Sequence, residues 1–290
     1  MLSLKQRAKA LPLKRAYGQN FLVDAAVLDA IVAAALPPTS TSSPHLIEIG
    51  CGAGFLTERL LAIGATLTGF EIDPAMIACL QPLVQQAGQR FDLRHQSILD
   101  ADLLALMPEQ QRTPIVGNLP YHLTGPILKQ LCGPMGDTTY ALRPRTDQLI
   151  LMVQREVAQR LMARPGTKAY GQLTLQIQCW YEVTSVIDVP AGCFFPPPKV
   201  DSTVIALTPR PKAAVNAHNY QALSQLVKGA FQHRRKTLCN SLKASRPDIE
   251  TGRVQATLDQ LGLAGNVRAE VLSLAQFAQL SDALEQAPLP

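Results

Sequence analysis

Leu46-Ile47-Glu48-Ile49-Gly50-Cys51-Gly52-Ala53-Gly54 runs from an apolar strand into a turn with a glycine at every second position. Glycine has no Cβ, so such a turn bends sharply and brings backbone close to a ligand. Dinucleotide-binding turns use a similar pattern at the head of a βαβ unit. Glu48 argues against a phosphate, because a carboxylate beside a pyrophosphate would repel it. A second acid, Glu71, ends the next apolar run, Leu67-Thr68-Gly69-Phe70. A carboxylate at that strand tip accepts the hydroxyls of a ribose. The two acids together favour a nucleoside without phosphates, such as S-adenosyl-L-methionine, over NAD.

Outward from this turn, apolar runs alternate with helical stretches. The pattern predicts strands near 45–49, 66–71, 91–95, 114–117, 148–153, 182–189 and 202–207. It predicts helices near 24–35, 54–62, 74–86, 124–132, 155–162 and 170–180. Such alternation specifies an α/β fold, a doubly wound, Rossmann-like sheet with helices on both faces. The last two strands lack an intervening helix and should pair as an antiparallel hairpin at one edge. Ligands of such sheets sit at the carboxyl ends of the strands, where Glu48, Glu71 and Asn118 fall.

Thr208-Pro209-Arg210-Pro211-Lys212-Ala213-Ala214 has the composition of a linker. Beyond it the pattern is helical only, with Tyr220, Leu223, Leu226, Val227, Ala230 and Phe231 on one apolar face. The expected organisation is a basic arm over 1–23, a ligand-binding domain over 24–209, and a small all-helical domain over 216–290.

The 290 residues are 47% hydrophobic and 17% charged, as expected of a globular chain with a sizeable core. No apolar run approaches the ~20 residues that span a bilayer. The amino-terminal stretch lacks the apolar core of a secretory signal. Six scattered cysteines without a close pair speak against disulfide frameworks and zinc sites, and fit a reducing cytoplasm. The net charge is only +5, but Lys5, Arg7, Lys9, Lys14 and Arg15 share residues 1–23 with no acid. A second cluster is His233-Arg234-Arg235-Lys236. Two basic segments suit contact with a polyanion.

Asn118-Leu119-Pro120-Tyr121 follows the short strand Pro114-Ile115-Val116-Gly117. An exocyclic amine has two hydrogens to place. The Asn118 side-chain oxygen and the Leu119 carbonyl can accept both, because Pro120 holds the backbone extended. Tyr121 then offers a face on which a base can stack, worth roughly 1–3 kcal/mol.

A glycine-rich turn preceded by Glu, an acidic strand end and Asn-Leu-Pro-Tyr, in this order, resemble an adenine amino-methyltransferase. Tyr17-Gly18-Gln19-Asn20-Phe21-Leu22, Lys168-Ala169-Tyr170-Gly171-Gln172-Leu173 and Phe195-Pro196-Pro197-Pro198-Lys199-Val200-Asp201-Ser202 are similar to motifs of the ribosomal RNA adenine dimethyltransferases. The resemblance extends over residues 14–243 and is strongest toward the small-subunit branch. It implies S-adenosyl-L-methionine as methyl donor and dimethylation of two adjacent adenines in a hairpin loop near the 3′ end of 16S ribosomal RNA. It also implies a precursor small subunit as partner and a role in subunit biogenesis; a monomer is expected because no apolar interface pattern appears, and no metal because the donor is already activated.

The same resemblance assigns residues. Asn20 and Leu22 would lie over the donor, with Gly50 and Gly52 approaching its methionine portion through backbone. Glu71 would hold the ribose, and Asn118 would touch both the donor and the target amine. Phe194 would face Tyr121 and sandwich the extruded base; Leu119 and Pro120 complete the catalytic segment. Lys14, Arg15, Arg234, Arg235 and Lys236 would bind RNA phosphates, contacts that position without reading bases. The donor's sulfonium is already activated, so catalysis would rest on holding amine and methyl in line at about 3–3.5 Å.

Three positions depart from the family pattern. Gln96-Ser97 stands where the family has Gln-Asp, whose acid binds the donor's adenine amine; Asp100 and Asp102 lie nearby. His122 replaces the asparagine usual after the Tyr. Residues 134–147 form a slightly long loop. Large-subunit enzymes of the macrolide-resistance type share the chemistry but carry Asn-Ile-Pro-Tyr. An assembly factor whose binding outweighs its methylation is the reading from another class, and a dehydrogenase would need a hydride-acceptor site that the sequence lacks.

Overall fold

The computed structural model describes residues 3–11, 19–36 and 44–285. Strands are β1 (Phe21–Leu22), β2 (His45–Ile49), β3 (Thr66–Glu71), β4 (Phe91–His95), β5 (Thr113–Asn118), β6 (Thr146–Gln154), β7 (Tyr181–Val189), β8 (Phe194–Phe195) and β9 (Ser202–Pro209). Helices are α1 (Leu4–Lys9), α2 (Ala25–Ala35), α3 (Phe55–Ala62), α4 (Pro74–Ala87), α5 (Leu103–Leu106), α6 (Thr124–Cys132), α7 (Leu142–Arg145), α8 (Arg155–Leu161) and α9 (Gln172–Gln178). They continue as α10 (Tyr220–Gln232), α11 (Leu238–Ser245), α12 (Thr251–Gln260) and α13 (Leu274–Glu285).

Seven strands form one sheet in the order β4-β3-β2-β5-β6-β9-β7. The pairs β2·β3, β2·β5, β3·β4 and β5·β6 are parallel, and β9 runs antiparallel to β6. The order reverses between β2 and β5, so the carboxyl ends of β2, β3 and β5 open a crevice there. The two strands expected to be neighbours at one edge, β7 and β9, are neighbours, with β7 outermost.

By contact, the chain divides into two compact units. The first comprises residues 1–131, 141–158 and 183–209; the second comprises 132–140, 159–182 and 210–290. The linker-like stretch thus marks the last passage from the first unit to the second. Segments 132–140 and 159–182 join the second unit through contacts that carry no local sequence signal. Trp180, for example, donates its indole N–H to the Met135 carbonyl at 2.9 Å.

In the first unit Leu46, Leu67, Val116, Ile150 and Val204, from neighbouring strands, are buried with Leu28 and Ile31 of α2 and Leu80 of α4. Each such side chain stabilises the fold by about 1.5–3 kcal/mol. α4 starts where the sequence directs it: Asp73 caps the Ala75 N–H at 3.0 Å and Pro74 takes the first helical position. α1 falls inside the stretch read as a basic arm. Ser3 and Gln6 close a capping box on it, and the Arg7 guanidinium lies 5.0 Å over the Phe55 ring while pairing with Glu58. Residues 142–145, within the stretch read as a loop, form α7, and Arg145, its last residue, donates to the Met107 and Pro108 carbonyls at 2.8 Å.

In the second unit α10 buries Leu223, Leu226, Val227, Ala230 and Phe231. Phe231 lies between Tyr170 and Phe277, with ring centroids at 6.3 and 6.0 Å. No helix of the described residues is long and apolar enough to cross a membrane.

Candidate active site

The glycine turn leaves β2 with its backbone pinned to the next strand. The N–H groups of Gly50 and Cys51 both donate to the Phe70 carbonyl, at 2.9 and 3.1 Å. Gly50, Gly52 and Gly54 have φ of 73°, 52° and 80°, the left-handed region that favours glycine. A Cβ on Gly54 would come within 2.8 Å of Leu83 and 2.9 Å of Leu80, so this glycine lets α3 and α4 close together. A Cβ on Gly50 would point toward the Asn118 carbonyl, 3.8 Å away, which places the turn against the Asn-Leu-Pro-Tyr segment.

The two acids have different roles. Glu48 is fully buried behind the turn, does not line the crevice, and accepts a hydrogen bond from Thr57 Oγ1 at 2.8 Å. Burial pushes its carboxyl up to about 7, while the hydrogen bonds of Thr57 and Cys51 pull it down and the charge of Glu71 pushes it further up. Glu71 does face the crevice. Its Oε2 accepts from the Gly52 N–H at 2.7 Å, and its Oε1 accepts from Ile72 and Asp73 at 2.8 and 2.9 Å. A carboxylate has about four acceptor sites, so one remains, on Oε2, for a hydroxyl of a ligand.

The crevice is a cleft of about 970 Å³ that is continuous with open solvent. Its lining brings together Asn20, Gly50, Gly52, Glu71, Ser97, Asn118, Leu119, Pro120 and Tyr121, nine of the residues singled out in the sequence. Among the described residues that line it there is no lysine or arginine, and Glu71 is the one carboxylate. A phosphorylated ligand would find no countercharge, whereas a cationic nucleoside fits.

Asn118 ends β5, and its Nδ2 donates to the Asn20 carbonyl at 3.2 Å. That bond sets the amide orientation and leaves Oδ1 as an acceptor. Leu119 lines the crevice and is buried as a residue. Its own N–H is tied to the Met152 carbonyl of the neighbouring strand at 3.1 Å. Tyr121 is half-buried on the wall, with its hydroxyl 2.9 Å from Ser202 Oγ.

The segment from Gln19 to Leu22 straps across the crevice. Gln19 donates to Asp73 at 2.6 Å, Phe21 and Leu22 pair with Phe195 and Phe194, and the Val23 N–H donates to the Cys193 carbonyl at 2.8 Å. Residues opposite one another in a strand pair point to the same side. The register therefore turns Leu22 and Phe194 together into the core, where they are 5% and 2% exposed. Phe21, not Leu22, lines the crevice, and Phe194 does not join Tyr121 there. Strands of two residues carry no periodicity from which the face could be read.

Ser97 lines the crevice, and its hydroxyl accepts from the Leu99 N–H at 3.2 Å. Asp100 and Asp102 do not take the place of the missing acid: neither lines the crevice, and Asp102 caps the Ala105 N–H. Gln96, which sequence reasoning passed over, lines it beside Ser97; its Nε2 donates to the Asp100 carbonyl at 2.8 Å, leaving Oε1 as an acceptor. In the second unit, Arg234 donates to the Lys168 and Tyr170 carbonyls at 2.8 and 3.1 Å and lies 3.6 Å from Glu270. Its guanidinium braces the Lys168–Leu173 motif, and Arg234, Arg235 and Lys236 are all exposed. Lys14 and Arg15 lie outside the described residues.

The family profile described as ribosomal RNA adenine dimethylase matches residues 11–286. The chain belongs to the ribosomal RNA adenine dimethylase family. Membership makes it a methyltransferase and implies S-adenosyl-L-methionine as its donor, in keeping with the charge of the crevice. A protein of Synechococcus named ribosomal RNA small subunit methyltransferase A is 42% identical over 281 residues, 96% of this chain and 95% of its own. A protein of Latilactobacillus sakei with the same name is 39% identical over 95% of this chain and 91% of its own. The crystal structure of a dimethyladenosine transferase from Plasmodium falciparum superposes with a TM-score of 0.70 at 26% identity, covering 89% of this chain and 94% of that one. That of the 23S rRNA methyltransferase ErmE gives 0.68 at 25% identity over 92% and 100%.

Proposed function

We propose that this ribosomal RNA adenine dimethylase transfers methyl groups to N6 of two adjacent adenines in the hairpin loop near the 3′ end of 16S ribosomal RNA, within precursor small subunits in the cytoplasm. The observation that carries the reading is the Asn118 amide, locked by the Asn20 carbonyl so that its oxygen is presented beside the Leu119 backbone. Two acceptors side by side suit the two hydrogens of an adenine amine and hold its lone pair toward an electrophile. They also stabilise the positive charge that develops on the nitrogen. S-adenosyl-L-methionine, when bound, supplies the electrophilic methyl on a cationic sulfur.

Glu71, Gly50, Gly52 and the acceptors of Gln96 and Ser97 would hold the donor. The Gln19–Leu22 strap would cover it and exclude water, and Tyr121 would stack on the target base. A loop adenine is already partly unstacked, which lowers the cost of extruding it. Arg235 and Lys236, with Lys14 and Arg15, would bind RNA phosphates and orient the loop, the chain acting as a monomer. The names of the relatives above support the small subunit over the large one as target.

Purified protein incubated with labelled donor and immature small subunits lacking the modification tests this. Dimethyladenine in the 3′-terminal hairpin is the expected product, and Asn118→Ala should abolish it while leaving subunit binding intact. Dimethyladenine only in large-subunit RNA would move the target. No transfer to any RNA, with donor binding intact, would sink the catalytic reading.

A further inference from the structure

The phenol of Tyr121 is tethered at its far end. Its oxygen lies 2.9 Å from Oγ of Ser202, a residue with no solvent exposure at the first position of β9. Ser202 is itself held on several sides. It pairs with Gln154 of β6, and the preceding Asp201 accepts from the Arg155 N–H through its carbonyl at 3.0 Å. The Asp201 carboxylate meets the Arg155 guanidinium at 3.0 Å and the Ala191 N–H at 2.9 Å. At its near end Tyr121 follows Pro120, whose carbonyl accepts from the Leu123 N–H at 2.9 Å. The far end of the ring is thereby tied to the sheet and its near end lies in a hydrogen-bonded turn, so the hydroxyl of Ser202 is the contact that sets its plane.

We infer that Ser202 is a positioning residue acting through Tyr121, and that it governs the second methylation of each adenine more than the first. The inference rests on the reaction proposed above. An unmodified amine offers two hydrogens, one to Asn118 Oδ1 and one to the Leu119 carbonyl, and these two bonds fix the plane of the base by themselves. After one transfer the amine carries a methyl and a single hydrogen, so one acceptor loses its partner. The base plane is then held by one hydrogen bond and by the wall on which the base lies, and that wall is the Tyr121 ring. Freeing the ring leaves the first transfer its two bonds but takes from the second what replaces the lost one.

The test follows both products on immature small subunits by nucleoside mass analysis, under single turnover, for the native chain, Ser202→Ala, Tyr121→Phe and the double variant. Each single variant should lower the ratio of second to first transfer rate by about fivefold, the worth of one neutral hydrogen bond, and accumulate monomethyladenine. Because both substitutions break the same bond, the double variant should match the singles rather than multiply them. Donor affinity and thermal midpoint measured alongside separate positioning from folding, and Tyr121→Phe carries the test alone if Ser202→Ala does not fold. Equal slowing of both steps, an unchanged ratio, or multiplicative effects would overturn the tether while leaving the proposed reaction standing. A native chain that forms no dimethyladenine would overturn the reaction, and the inference with it.

Discussion

Replacing Glu48 by Gln should change how stability depends on pH. Glu48 is 1% exposed, and burial pushes its carboxyl from 4.5 up to about 7. A folded value above the unfolded one means that the folded state holds the extra proton between those limits. Stability from this group is complete below pH 4.5 and is lost as pH rises through about 7. At 1.36 kcal/mol per pH unit the loss across that window is about 3 kcal/mol. The Glu48→Gln side chain would keep the shape and an oxygen to accept from Thr57, and would not titrate. Its amide nitrogen imposes a cost that is the same at every pH, so the informative quantity is the difference between native chain and variant. Urea unfolding followed by circular dichroism at about pH 4.5, 6 and 7.5 measures it. The native chain should lose about 3 kcal/mol relative to Glu48→Gln over that range. A difference that stays flat would mean that Glu48 is charged throughout in the folded chain, and would refute the reasoning.

Glu71→Gln turns an amide toward three backbone N–H donors, so calorimetry should show donor binding weakened tenfold or more, with about 1–3 kcal/mol lost from stability; native affinity would contradict the three-amide geometry. Ser97→Asp keeps an oxygen for the Leu99 N–H and adds a charged acceptor to the crevice, and it should tighten donor binding by roughly five- to tenfold. Weaker binding would show that the adenine amine is accepted elsewhere. Arg234→Ala should destabilise the second unit by about 1–2 kcal/mol in thermal melts, since it frees two carbonyls and Glu270. Arg235→Ala with Lys236→Ala should leave the melt unchanged and reduce the slope of log affinity for RNA against log salt by about 1.4; the reverse pattern would exchange their roles.

The doubly wound sheet was legible because its inner strands β2, β3, β5, β6 and β9 are mostly buried and so read as largely apolar runs, whereas β4 and β7 at its edges are half exposed and mixed in composition. The helical face of Tyr220 to Phe231 announced α10. α1 was masked by its charge: Arg7 reads as one more residue of a basic arm, and only the fold shows it laid over Phe55 and paired with Glu58. Segments 132–140 and 159–182 escaped for another reason. Their membership of the second unit depends on contacts such as Trp180 to Met135, which join residues distant in sequence and follow no period.

The lining of the crevice was legible at the glycine turn and at the tips of long strands, where Gly50, Gly52, Glu71 and Asn118 fall. It was illegible wherever a role depends on what lies opposite. Glu48 and Glu71 look alike in sequence, yet one lies beneath the turn with Thr57 and the other rims the crevice on three amides. Leu22 and Phe21 are adjacent apolar residues, and the register of β1 against β8 decides which of them meets a ligand. The same dependence explains why Ser202, the last residue of a proline-rich motif, gave no sign of touching Tyr121. A motif names the residues that meet substrate, whereas the partners that hold them in place are set by register across the sheet.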